Sequence, residues 1–203
     1  LNPDTNPDFA KCYNTYEPGT KYEYCNLGFN TIGAIVEKFS GTRFDNYVKE
    51  VLLKPMRLEA GFNPDSLDNQ KYVTLYSFEP ADTLPGSEKI FKPQPMAYVS
   101  RAKDIDSGYV MGYSTPLFSP TGGMKISAQG LAQYMIMHMN YGTDPVSGVK
   151  IISEESAKLM QTPVVVRKEE NTYCLALSKV KNLIPGETMT GHTGSAYGLY
   201  SAM

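Results

Sequence analysis

Two helical-period apolar patterns set back to back constrain this chain more than any other feature of its sequence. From Leu27 onward, Ile32, Ile35, Val36 and Phe39 recur at helical spacing until Ser40. Gly41 follows, the residue that most readily takes the left-handed conformation in which helices end. Thr42 and Asp45 then resemble a capping box with Asp in place of Glu, ahead of a second stripe of Phe44, Tyr47, Val48, Val51 and Leu52 that stops before Pro55. The spacing predicts one helix ending at Gly41 and a second packed directly behind it.

The rest of the chain is arranged around this pair. Residues 1–23 are rich in Pro, Asp, Asn and Tyr and run into Pro18-Gly19-Thr20, which reads as loop. Residues 58–121 hold many Pro, Gly, Ser and Asp with scattered apolar clusters, which predicts long irregular excursions of the kind that frame binding sites. Ser127 is placed to cap a helix through Leu131, Tyr134, Met135 and His138 that closes near Gly142, and Ser153 to cap another through Ala157, Leu159 and Met160 before Pro163. Beyond Pro163 the pattern turns to strand at 164–166, at 172–180, and at 197–203 after a Gly-rich turn. Helices followed by strands predict an α+β layer arrangement. There is no internal repeat and no low-complexity tract.

Composition removes several classes of function. At 203 residues and 41% hydrophobic the chain can form one domain with a substantial core. Its 19 Lys plus Arg balance 21 Asp plus Glu with no block of like charge, so the footprint of a nucleic-acid or anionic-membrane binder is absent. No apolar run approaches the roughly 20 residues that span a bilayer. The sequence opens at Leu1 without a basic and then apolar leader, and the expectation is that its natural start, with any secretion signal, lies upstream. Cys12, Cys25 and Cys174 lack zinc-site spacing and read as structural thiols. His138 and His192 are the two histidines, with no His-x-x-x-His pair and no Asp-rich calcium loop, so neither a metal nor a cofactor is expected.

Two short segments carry chemistry. Tyr24 and Asn26 sit two apart at the mouth of the first helix, where both side chains can face one cleft. A phenol beside a cationic group loses its proton more easily and can relay protons in acyl transfer, while an amide offers a substrate one donor and one acceptor. The plainer alternative is that Tyr24 is one of 15 tyrosines and Asn26 caps the helix. The second segment, Gly191-His192-Thr193-Gly194-Ser195-Ala196-Tyr197-Gly198, opens a strand. Its glycines allow close approach of a ligand, and a strand edge can aim free N–H groups at a developing oxyanion. Here the plainer alternative is a flexible turn with His192 incidental.

Together these segments resemble the serine β-lactamase-like family, in particular the branch holding class C β-lactamases, D-alanyl-D-alanine carboxypeptidases and related esterases and peptidases. Tyr24-Cys25-Asn26 with the helix through Gly28, Gly33, Glu37 and Gly41 looks like the family's Tyr-x-Asn segment; Gly122-Gly123-Met124 with Ser127 and Leu131 looks like its Gly-Gly stretch, with Gly130 where Asp is usual; His192-Thr193-Gly194 stands where the family carries Lys-Thr-Gly or His-Thr-Gly. The resemblance implies a partial β-lactamase/transpeptidase-like fold over residues 1–203, a helical region plus part of an antiparallel sheet, with the nucleophile segment and the closing strands and helix outside it. It also implies an acyl-enzyme hydrolase. Tyr24 would relay protons, Asn26 would orient the acyl side chain, His192, Thr193 and Gly194 would line the substrate site, and the Ser195 N–H would form half of the oxyanion hole.

The family's nucleophile, a Ser-x-x-Lys upstream of Tyr-x-Asn, has no counterpart before Tyr24; Ser100 with Lys103, Ser147 with Lys150 and Ser178 with Lys181 all follow it and read as chance strings. The 203 residues alone are therefore expected to be inactive. His192 in place of Lys removes a permanent positive charge, which favours a peptidase or esterase over a β-lactamase. The implied partner is a small-molecule or peptide substrate and the implied location periplasmic or extracellular, at the cell envelope. The rival readings are a non-catalytic relative that binds peptidoglycan-like ligands in the same cleft, and a Tyr-rich interaction face.

Overall fold

The first helix of the computed structural model, α1 (Asn26–Ser40), ends where the sequence places its stop: Gly41 is left-handed at φ 65° and donates its N–H to the Glu37 carbonyl at 3.0 Å. The structure describes residue 4 and residues 6–166, 172–181 and 183–203. An apolar stripe at helical spacing is ordinarily the buried one, yet Ile32, Ile35 and Phe39 are exposed, Phe39 at 90%. The buried residues of α1 are Gly33 and Glu37. Gly33 admits the 115–120 loop flush against the helix, since an added Cβ would lie within 3.2 Å of both Pro120 and Thr115. Glu37 is 0% exposed. One of its carboxylate oxygens accepts from Phe44 N–H at 2.7 Å and from the Tyr109 hydroxyl, the other from Gly112 N–H at 2.7 Å and Thr115 Oγ1 at 2.6 Å.

That carboxylate replaces the expected capping box. Helix α2 (Phe44–Val48) has no side-chain cap at its start, and its first N–H is the one taken by Glu37. Asp45 turns inward instead, 4% exposed and gripped in bidentate fashion by Arg43 at 2.6 and 3.0 Å. Residues Lys49–Leu53 continue α2 as a π turn. The wider turn advances the helix phase by one residue, so Leu53 and Met56 are buried where the sequence stripe ran through Val51 and Leu52, and Val51 is exposed. Phe44, Phe62 and Phe118 form the core cluster, with Val48, Ile105, Tyr109, Leu117 and Met124 packed against it.

The 58–121 stretch holds more regular structure than its composition suggested: strand β1 (Ala60–Gly61), a ribbon of β2 (Tyr76–Pro80) and β3 (Lys89–Pro93), and the short helix α3 (Ala102–Asp106). Phe78 and Phe91 stand opposite one another across the ribbon, and such a cross-strand aromatic pair, scattered in sequence, is visible only once the register is known. Strand β4 (Lys125–Ile126) pairs antiparallel with β1. Helices α4 (Ala128–Met139) and α5 (Glu154–Met160) start at the two expected serines, Ser127 Oγ accepting from Gly130 N–H and Ser153 Oγ from Ser156 N–H, each at 3.0 Å. Among the described residues no helix is long and apolar enough to cross a membrane.

The final third forms an antiparallel sheet in the order β5 (Val165–Val166), β6 (Thr172–Tyr173), β7 (Ser178–Val180), β8 (Met189–Gly191). The chain runs on through His192 into β9 (Thr193–Ala196), turns at Tyr197-Gly198, and returns as β10 (Leu199–Ala202). Both turn residues have positive φ, 53° and 80°, the geometry of a two-residue hairpin turn. The turn thus falls at Tyr197-Gly198, and most of the Gly-rich run expected to be the turn is strand.

Two stability predictions follow from the buried polar groups. Removing the Glu37 carboxylate strands four donors, so Glu37→Ala should lower unfolding free energy by about 3 kcal/mol or more in urea titrations; a loss under about 1 kcal/mol would contradict the assigned role. Burial pushes the Glu37 carboxyl up, but the bonds from Gly112, Thr115, Tyr109 and Phe44 outweigh it and hold the group below 4.5. Its stabilising effect is therefore present above that value and is lost as pH falls through the lowered folded-state pKa. His138 behaves differently. Both of its ring nitrogens are buried without a hydrogen-bond partner, its ring lies edge-on to Tyr134 at 4.8 Å, and burial holds its pKa below 6.5. The unfolded chain takes up this proton first, so stability should fall as pH drops below about 6.5. In His138→Phe that part of the pH dependence should flatten; an unchanged slope would show that His138 does not cause it.

Candidate active site

Sheet order and helix placement bring the two motif segments together. Tyr24 lies in irregular chain just before α1, and Cys25, extended at φ −142° and ψ 108°, is the N-cap residue without a side-chain cap bond. The Tyr24 ring stacks on the His192 ring with centroids 6.2 Å apart and planes at 29°. On β6, Tyr173 meets Tyr24 edge-on at 6.4 Å and packs at 4.7 Å against Tyr22. Four rings from three separate stretches of sequence thus form one cluster.

The imidazole is oriented as well as stacked. His192 Nδ1 is 2.6 Å from the Thr193 carbonyl oxygen. A carbonyl only accepts, so Nδ1 carries the hydrogen in this contact and Nε2 of the neutral ring is left with its lone pair. Asn26 is the first residue of α1 and is exposed; it does not cap the helix, because Cys25 holds that position. Its carbonyl accepts from Thr121 Oγ1 at 2.7 Å, and Asn30 Oδ1 takes the same hydroxyl at 2.9 Å. The residue immediately before Gly122-Gly123 is thereby latched to the start of α1. Among the described contacts none joins the Asn26 side chain to β9.

The strand edge follows from the ladder. His192 and Met203 exchange both backbone hydrogen bonds, at 3.0 and 2.9 Å. Antiparallel alternation makes Gly194 and Ser201 the next such pair, so the N–H groups of Thr193 and Ser195 point away from β10. On that other edge β7 pairs no further than Gly191, and residues 193–196 are all exposed. Ser195 therefore projects its N–H from an open edge, while the side chains of Thr193 and Ser195 share the strand face opposite His192 and Gly194. At Gly194 a Cβ would come within 2.7 Å of Ser201 Oγ.

None of the three Ser-x-x-Lys strings forms a helical pair. Ser100 precedes α3 and accepts from Ala102 N–H at 3.3 Å, Ser147 donates to the buried Asp144 carboxylate at 2.6 Å, and Ser178 opens β7. Among the described residues no group of three or more His, Cys, Asp and Glu side chains could hold a metal. All three cysteines are free; Cys174 is buried, which pushes its thiol up, and Cys12 and Cys25 are exposed.

The sequence family described as Beta-lactamase matches residues 6–203. The chain belongs to the beta-lactamase family. Among curated relatives of this family member, an N-acetylmuramyl-L-alanine amidase of Bacillus subtilis (strain 168) is 43% identical over 95 residues, 47% of this chain and 17% of the relative. A putative D-alanyl-D-alanine carboxypeptidase of Escherichia coli O157:H7 is 29% identical over 173 residues, 79% of this chain and 35% of the relative. The chain thus spans about a third or less of these curated relatives. Among solved structures, the octameric penicillin-binding protein homologue from Pyrococcus abyssi superposes with a TM-score of 0.64 at 24% identity, covering 91% of this chain and 36% of that one. The α+β arrangement of this beta-lactamase family chain is therefore part of the β-lactamase/transpeptidase-like fold. The Tyr24-Asn26 and His192-Thr193-Gly194 segments are picked out by their sequence resemblance. Tyr22 and Tyr173 are not, since tyrosines at unremarkable spacing carry no signal until the sheet places them.

Proposed function

We propose that the chain is part of a serine acyl-enzyme hydrolase that cleaves an amide or ester carbonyl of a peptidoglycan-derived substrate in the cell envelope. The observation that carries this reading is the Tyr24 and His192 stack beside the open β9 edge. In the proposed reaction a serine from chain outside residues 1–203 attacks the carbonyl; its Oγ–C bond forms as the C=O π bond opens to an oxyanion, and the bond to the leaving nitrogen or oxygen breaks as the carbonyl re-forms. Tyr24 relays the serine proton toward that leaving group, and water then hydrolyses the acyl-enzyme. The Ser195 N–H, aimed off the strand edge, donates to the oxyanion. Asn26 holds the acyl side chain, and Thr193, Gly194 and His192 line the substrate site. A histidine rather than a lysine at position 192 favours peptidase, amidase or esterase action over β-lactam hydrolysis, and the amidase and carboxypeptidase names of the two relatives support the same choice.

In the full-length protein a fluorescent penicillin or fluorophosphonate should label one serine, and Tyr24→Phe should lower kcat/KM roughly 10²- to 10⁴-fold, the usual weight of a positioned proton-transfer group. The 203 residues alone should not label. Labelling at Ser100, Ser147 or Ser178 would overturn the motif assignment, and a full-length protein that binds cell-wall fragments without labelling would establish a non-catalytic binder instead.

A further inference from the structure

The group proposed to move protons stands outside any helix or strand. Tyr24 sits in irregular chain, 46% exposed, immediately ahead of an N-cap that makes no side-chain bond. Proton transfer needs a donor fixed to within a fraction of an ångström, and side chains on loops reach that precision only when rigid neighbours hold them. The neighbours here are rings carried by the sheet. The His192 ring lies beside Tyr24 with centroids 6.2 Å apart and planes at 29°; Tyr173 meets it at 6.4 Å and 89°.

Tyr173 is the firmer of the two supports. It is 7% exposed and lies in β6 between two antiparallel neighbours, paired with Val165 on one side and Ser178 on the other. Backbone bonds bracket it: its carbonyl accepts from Val164 N–H at 2.8 Å, and the next residue, Cys174, donates to the Leu177 carbonyl at 2.7 Å. Tyr22 packs on the Tyr173 ring at 4.7 Å. Two tyrosines spaced by two along the irregular segment that enters α1 therefore close on one sheet-borne ring, which registers that segment against the sheet leading to His192.

We infer that Tyr173 is a positioning residue for Tyr24, holding its phenol in the place where proton transfer requires it; this rests on the hydrolase reading above. Tyr173 is too buried to touch substrate. The contact is made by its ring, so a phenylalanine preserves it and an aliphatic residue does not.

The test uses the full-length protein and hydrolysis of a small 4-nitrophenyl ester, with Tyr173→Phe, Tyr173→Leu, Tyr24→Phe and the double variant Tyr173→Leu/Tyr24→Phe. Tyr173→Phe should stay within about 3-fold of the parent in kcat and KM. Tyr173→Leu should lose roughly 10- to 100-fold in kcat, the scale of an ångström-size misplacement, with KM changed by less than about 3-fold. In the Tyr24→Phe background the same substitution should cost under about 2-fold, because the group it positions is already gone. A Tyr173→Leu variant as active as the parent overturns the inference while an impaired Tyr24→Phe keeps the hydrolase reading. A further loss of about 10-fold in the Tyr24→Phe background also overturns it, as general damage. A parent protein that neither hydrolyses the ester nor labels with fluorophosphonate ends both. Should Tyr173→Leu not fold, Tyr22→Leu removes the backing ring and should lower kcat several-fold; an unchanged kcat overturns the inference.

Discussion

One buried carboxylate ties the start of α2 and the 109–118 chain to α1. Glu37 receives a donor from the start of α2, two from the 109–112 turn and one from the 115–118 turn. Magnitudes explain why α1 buries this face rather than its apolar one. Full burial of an isoleucine is worth about 1.5–3 kcal/mol relative to exposure, and Ile32 and Ile35 are already about half covered. Turning the helix to bury them would take the carboxylate away from donors that stay buried, at about 1–3 kcal/mol for each one left unpaired. The polar anchor wins, and the apolar stripe stays on the open side.

From that anchor two short paths lead to the candidate site. Along α1 it fixes the first turn, where Tyr24 enters and Asn26 begins the helix; through the 115–121 segment it leads to Thr121, whose hydroxyl latches back onto the Asn26 carbonyl and Asn30. The sheet places His192 and Tyr173 independently. His192 is placed by the β7, β8 and β10 ladders and oriented by the Thr193 carbonyl, and the ring of Tyr24 meets it in a stack. A stack between residues so far apart in sequence is a tertiary fact, and the proton relay proposed for Tyr24 depends on it.

Local signals were legible in the sequence where they are local in physics. The stop at Gly41 and the caps at Ser127 and Ser153 are decided by one residue and its near neighbours, and the structure has them in place. The box expected at Thr42 and Asp45 failed because a residue on another helix, Glu37, supplies the acceptor and Arg43 draws Asp45 inward. The π turn at Lys49–Leu53 moved the inward positions to Leu53 and Met56, a phase change that apolar periodicity alone cannot show. At the candidate site, Tyr24 and His192 were singled out in the sequence, and the structure brings their rings within 6.2 Å of one another. The supporting rings of Tyr22 and Tyr173 depend on strand order, and nothing in their spacing announces it.

The most direct measurement of the shared cleft is a double-mutant cycle on kcat/KM in the full-length protein with Tyr24→Leu and His192→Leu. If the two rings act as one unit, the second substitution costs much less once the first is made, and the coupling free energy exceeds about 1 kcal/mol. Losses that add to within about 0.5 kcal/mol would mean that Tyr24 and His192 work apart, and the cleft assembled from them would not be the site of reaction.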